Sequence, residues 1–258
     1  MFKTNRMFFN FLKIGAIVNI YLLLQTFKHP IVNLDKSILL SAQIFLFTAA
    51  FRCLFPNRYT NNVVYYDSFV SSIFLTRFFA TFSEIAYIYL FSAIIRIVNS
   101  ESILFIDVLS WFMVAQVIVS QFCVWGAIFI RRFILYFYEE VGWLIIYFIN
   151  TLCSIYLYFA MDTSYHILLL LNIIFGLIYL PWQFVHLKSL FLEAYKSKNT
   201  VRYINLELIK DNFKSALYLR NQSSDLALWG GSIGVSWMLG YWVVISLWIY
   251  FIIKTIVV

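Results

Sequence analysis

The chain has 258 residues, of which 63% are hydrophobic and 12% charged, and a net charge of +7. Soluble domains carry roughly 45–50% apolar and about 25% charged residues, so a soluble globular fold is excluded from the start. The basic excess lies in loops between long apolar runs, the pattern of segments facing a cytoplasm and its anionic lipids, and no nucleic-acid partner is expected.

In chain order, apolar runs at about 8–27, 38–55, 70–98, 103–130, 133–159, 165–191 and 227–257 each read as a membrane-crossing helix. The first has a basic flank, Lys3 and Arg6, but no small-residue cleavage site follows it, so it reads as a retained anchor. The second is the shortest and ends at Pro56, where Arg52 and Arg58 read first as positive-inside charges and second as contacts for a lipid phosphate. No segment shows the ten-residue alternation of a transmembrane β-barrel. The expected fold is therefore all-α, a polytopic helical membrane protein with about seven transmembrane helices forming a single domain over residues 1–258. The integral location is multi-pass, with a plasma or inner membrane favoured.

Loop charges set an expected orientation. With the N-terminus cytoplasmic, that side collects Lys3, Arg6, Lys13, Arg52, Arg58, Arg131, Arg132, Lys188, Lys196, Lys198, Arg202, Lys210, Lys214 and Arg220. The opposite side has Lys28, Lys36, Arg96 and Lys254. The positive-inside rule thus places the C-terminus on the side opposite the N-terminus. The one sizeable polar segment covers residues 197–225. Within it Leu206, Ile209, Phe213, Ala216 and Leu217 follow helical spacing, which predicts an amphipathic helix on the cytoplasmic leaflet or capping the bundle.

Ionisable residues inside spans are costly and mark candidate sites. Arg77 in the third span and Glu140 in the fifth, with Glu139 beside it, lie about 10 Å from the same edge of the membrane at 1.5 Å per residue. His186 and Gln183 fall near that edge on the sixth span. Arg77, Thr81 and Glu84 share one face of the third span. Two helical turns separate Arg77 from Glu84, so a direct pair is expected to be stretched. Glu139 or Glu140 is then the expected partner of Arg77, only one of the two pointing inward. Gln116 and Asn150 are the polar groups expected nearest Glu84.

Two uses of this cluster stand at this point. It is a catalytic or ligand-binding centre, with Glu140, Glu139, His186 and Arg77 as catalytic residues and Arg77, Thr81, Glu84 and Gln183 as ligand-binding residues. Alternatively, it is a buried ion pair that fixes helix register.

Other motifs carry less. Gly230-Gly231-Ser232-Ile233-Gly234 matches G-x-S-x-G, but it opens an apolar helix instead of joining a strand to one, and its small residues suit close helix packing. His29, His166 and His186 are too scattered for a histidine-rich metal site, and no Walker or Rossmann pattern is present. Cys53, Cys123 and Cys153 lie in apolar runs without a CxxC pair and read as packing residues. No metal or particular cofactor is implied.

The function these features favour is a membrane-embedded enzyme or binding protein for a lipid or other apolar substrate. The alternatives are an ion or proton channel or transporter using Glu84, and a non-catalytic subunit with a protein partner. Scarce Gly (8) and Pro (3) and the lack of repeats fit a rigid pocket better than an alternating pathway.

Overall fold

A computed structural model describes residues 2–28, 36–196 and 204–257. Its main elements are α1 (Phe2–Thr26), α2 (Lys36–Leu54), β1 (Asn57–Arg58), β2 (Val63–Val64), α3 (Ile73–Val98), α4 (Leu104–Ile130), α5 (Ile134–Ala160), α6 (His166–Lys196), α7 (Leu206–Tyr218), β3 (Asn221–Gln222), α8 (Gly231–Leu239) and α9 (Ile245–Val257). Gly240–Val244 forms one wide π-helical turn between α8 and α9, so the last span runs continuously through all three. Among the described residues, seven helices are long and apolar enough to cross a membrane: α1 to α6 and this composite span. The chain is an all-α, multi-pass integral membrane protein. Of the polar segment expected at 197–225, residues 197–203 lie outside the described residues, as does His29; the remainder supplies α7 and β3.

The reason for the fold class is visible at the surface. Leu104, Phe105 and Phe122 of α4 are 75%, 68% and 74% exposed, and Leu177 and Ile178 of α6 are 62% and 69% exposed. Water would not tolerate such contiguous apolar surface, whereas lipid does. With no water in the hydrocarbon, every backbone group must be satisfied within its own segment, which only helices do here.

Packing divides the chain into two compact units, Met1–Ala86 with Phe213–Val258, and Tyr87–Asn212. In the first unit, Phe8, Phe9, Leu12 and Ala16 of α1 share a core with Cys53, Val63, Trp229, Met238 and Trp242. Asn19 Nδ2 donates to the Trp242 carbonyl at 2.8 Å, tying α1 to the π turn. A small sheet of order β1-β2-β3 closes one end of the unit, with β2 antiparallel to β1 and parallel to β3. Asn57 Nδ2 anchors that end to the start of α3, donating to Ser71 O at 2.9 Å and Thr76 Oγ1 at 2.6 Å.

The second unit stacks α4, α5 and α6, joined by short connections that make sequential helices neighbours. Small residues let α5 and α6 approach closely, as membrane helices without a hydrophobic driving force require. A Cβ added at Gly176 would lie 1.9 Å from Thr151 Oγ1 and 3.0 Å from Thr151 Cβ. Farther along the same seam Asn172 Nδ2 donates to Ser154 Oγ at 3.3 Å.

This packing makes a measurable prediction. Gly176→Ala is expected to destabilise the purified protein by about 1–3 kcal/mol through overpacking against Thr151. Adding Thr151→Ala should restore wild-type melting behaviour or exceed it, because alanine favours a helix over glycine by about 1 kcal/mol. Thermal melting of the two variants in detergent, followed by circular dichroism, checks both outcomes. A double variant no more stable than the single one would show that the contact does not set the spacing.

Candidate functional site

The first unit holds a charged centre inside its spanning helices. Arg77 and Glu84 sit seven residues apart on α3, on nearly the same face, with about 10 Å of rise between their Cα atoms. The side chains close that gap by reaching toward each other along the helix. Arg77 Nη1 donates to Glu84 Oε1 at 3.0 Å and Nη2 to Oε2 at 2.6 Å, a two-pronged ion pair. Both residues are buried. The expectation of a stretched pair is thereby corrected, because it counted backbone rise and left out the length of an arginine. Thr81, between them, donates its hydroxyl to the Arg77 carbonyl at 3.0 Å. The ring of Tyr59, from the loop after β1, lies 5.8 Å from the Arg77 guanidinium carbon.

Arg52 of α2 belongs to the same centre. Sequence reasoning placed it among the loop charges at the membrane edge, but its exposure is only 2%. Its Nη1 lies 3.9 Å from Glu84 Oε1, too far for a hydrogen bond to a carboxylate whose two oxygens already accept from Arg77. Aromatic faces take the place of acceptors. The guanidinium carbon is 4.7 Å from the Trp242 ring, 5.3 Å from Trp237 and 5.6 Å from Tyr241. Trp237 and Tyr241, one turn apart, stack with their planes 9° from parallel. The π turn carries Tyr241 and Trp242, in keeping with the tendency of such turns to occur where a helix serves a site.

The same unit has an open-sided apolar cavity of about 410 Å³, lined by α1, α2 and α3, with Ile44, Phe47, Thr48, Phe78 and Phe82 in its wall. Phe78 and Phe82 are well exposed on α3, so the cavity opens on the outer face of this unit. Thr48 is one helical turn before Arg52 on α2.

The second unit brings together three of the polar residues expected near one level. Gln183 Nε2 donates to Glu140 Oε2 at 2.7 Å and to the Glu140 backbone carbonyl at 2.8 Å, locking α6 to α5. His186 Nε2 is 3.5 Å from Glu140 Oε1, and its ring stacks on Trp182 at 5.0 Å. Glu139 and Glu140 are both buried, contrary to the expectation that only one would point inward. Ser120 Oγ of α4 donates to the Glu139 backbone carbonyl at 3.4 Å. No group of three or more His, Cys, Asp or Glu side chains among the described residues could hold a metal ion.

The Arg77–Glu84 contact can be isolated by a double-mutant cycle. Arg77→Gln and Glu84→Gln should each lower stability, and the pair together should lose less than the sum, with a coupling of about 1–3 kcal/mol. Additive effects in thermal or denaturant unfolding would mean that the two side chains do not support each other. Comparison with protein-family models, with curated proteins and with solved structures finds no match to this chain, so any function is argued from the geometry above.

Proposed function

We propose that this protein binds an amphiphile within the membrane, a lipid or a similar molecule with an apolar body and a polar head. The observation that carries this reading is the apolar cavity of about 410 Å³ in the first unit. It falls within the roughly 300–1,000 Å³ range of small-molecule sites. It shares α2 and α3 with the charged centre of Arg52, Arg77 and Glu84, and Thr48 in its wall is one turn from Arg52. A tail in the cavity and a head toward that centre match each part of such a ligand to its chemistry. Thr81 lies on the α3 face between Arg77 and Glu84 and belongs to the head-binding side of this reading. The channel reading loses support because Glu84, its proposed ion site, is already held by Arg77 through both oxygens.

Native mass spectrometry of the protein purified in a mild detergent tests this. A bound lipid or lipid-sized molecule is expected at near one per chain. Ile44→Trp, which puts an indole in the cavity wall, should reduce its occupancy at least fivefold while the protein stays folded. Unchanged occupancy in that variant would remove the cavity from the site.

A second reading, that the second unit carries out chemistry on a lipid of its own, draws support from Glu140 and His186. A carboxylate beside an imidazole, positioned by Gln183, is a unit suited to general acid–base chemistry. In this reading Glu140 and His186 move a proton and Glu139 assists. Incubation with extracted membrane lipids, followed by lipid mass spectrometry, should show one lipid class converted by wild type. Glu140→Gln and His186→Gln should reduce that conversion at least 100-fold without loss of bound lipid. Equal conversion by the variants would remove the pair from any chemistry.

A further inference from the structure

We infer that Arg52 is the direct ligand contact of this protein and that the head it takes is anionic, a carboxylate or phosphate carried on a lipid. The inference rests on the amphiphile-binding reading above and names the class of molecule bound.

A guanidinium carries five N–H groups and has no way to shed its charge inside a protein. Buried polar groups are nearly always hydrogen-bonded, and a charged one left without acceptors is especially costly in a membrane. Yet among the described residues neither Nε nor Nη1 of Arg52 has a hydrogen-bond partner. The nearest carboxylate oxygen, Glu84 Oε1, stands 3.9 Å from Nη1 and already accepts from Arg77. The three rings of Trp237, Tyr241 and Trp242 attract the positive charge but accept no conventional N–H bond in its plane.

The same signature recurs on two neighbours of the centre. The Trp242 ring is the one nearest Arg52, and its Nε1–H is buried without an acceptor among the described residues. Tyr59, whose ring lies by Arg77, has a buried hydroxyl likewise without a partner. An indole N–H can only donate, as can a guanidinium, and a phenol can donate as well. The missing chemical complement is therefore an acceptor with several lone pairs, and beside a guanidinium it is best negatively charged. A planar carboxylate or a phosphate oxygen pair matches Nε and Nη1 in a two-pronged contact. A neutral hydroxyl head would supply too few acceptors and no charge.

Lipid probes with one oleoyl tail and different heads test the assignment on the purified full-length protein in a neutral detergent. Oleate and oleoyl lysophosphatidic acid are expected to bind at least tenfold more tightly than monooleoylglycerol, read by titration in native mass spectrometry. Arg52→Gln should erase that preference. Trp242→Phe, which keeps the ring and removes one N–H, should weaken the anionic probes about three- to tenfold; this second variant decides the matter should Arg52→Gln fail to fold. Inorganic phosphate at 10-fold excess over the probe should not displace it.

Equal binding of charged and neutral heads by wild type, or an intact preference in either variant, would overturn the inference while leaving amphiphile binding in place. Displacement by phosphate alone would overturn the lipid source of the anion. Failure of every probe to bind wild type would sink the amphiphile reading itself.

Discussion

The constraint on which the first unit depends is the cost of a permanent positive charge inside helices that cross hydrocarbon. Glu84 meets that cost for Arg77 from the same helix, and the contact uses both carboxylate oxygens. Arg52 is then left to aromatic faces, which must come from another span. Among the described residues the last span supplies them, through Trp237, Tyr241 and Trp242. Tyr241 and Trp242 lie in the π turn, whose Trp242 carbonyl accepts from Asn19 on α1. The path from one ion pair therefore runs through the first half of α3, α2, the last span and α1, the spanning helices of that unit.

The second unit meets the membrane differently. Its helices associate through close approach and small polar contacts, with Gly176 against Thr151 and Ser154 against Asn172. Such contacts average well under 2 kcal/mol in membranes, so shape carries much of the association. At one end of the same α5–α6 seam the polar contact changes character. Gln183 holds Glu140 by side chain and backbone at once, and His186 is held in turn by stacking on Trp182. That fixation of a carboxylate and an imidazole is more specific than helix association requires.

Much of this was legible in the amino-acid sequence, and what was not has definable physical causes. Apolar runs of about 20 residues revealed the spans because the bilayer sets a length that composition alone reports. Depth counting also placed Glu140, Gln183 and His186 near one level, since helical rise is constant. The same counting misjudged Arg77 and Glu84, whose Cα separation says nothing of how far two flexible side chains extend. Arg52 was misread for another reason. Near the end of a short span and followed by Pro56, it has the local look of a loop cation, and the rings that bury it lie about 185 to 190 positions further along the chain. The π turn that presents two of them leaves no signature in the apolar pattern. A buried aromatic cage is a property of tertiary packing, so no window of sequence could have shown it.

The contrast between matched and unmatched polar groups is what separates structure from candidate function here. Polar residues that merely hold membrane helices together come as donor–acceptor pairs, because each unpaired partner would be costly in hydrocarbon. Gln43 with Thr26 follows that pattern, and the amide N–H groups of Asn57 and Asn172 find Thr76 and Ser154. Arg52 does not. Its unmatched atoms are donors, as is the unmatched atom of Trp242 beside it, and Arg52 alone among these residues carries a full charge. A structural role for Arg52 would also have been better served by leucine or methionine, which fill an aromatic cage with no charge to desolvate. The retention of a guanidinium where an apolar side chain would pack at less cost is explained if an acceptor reaches it from outside the chain.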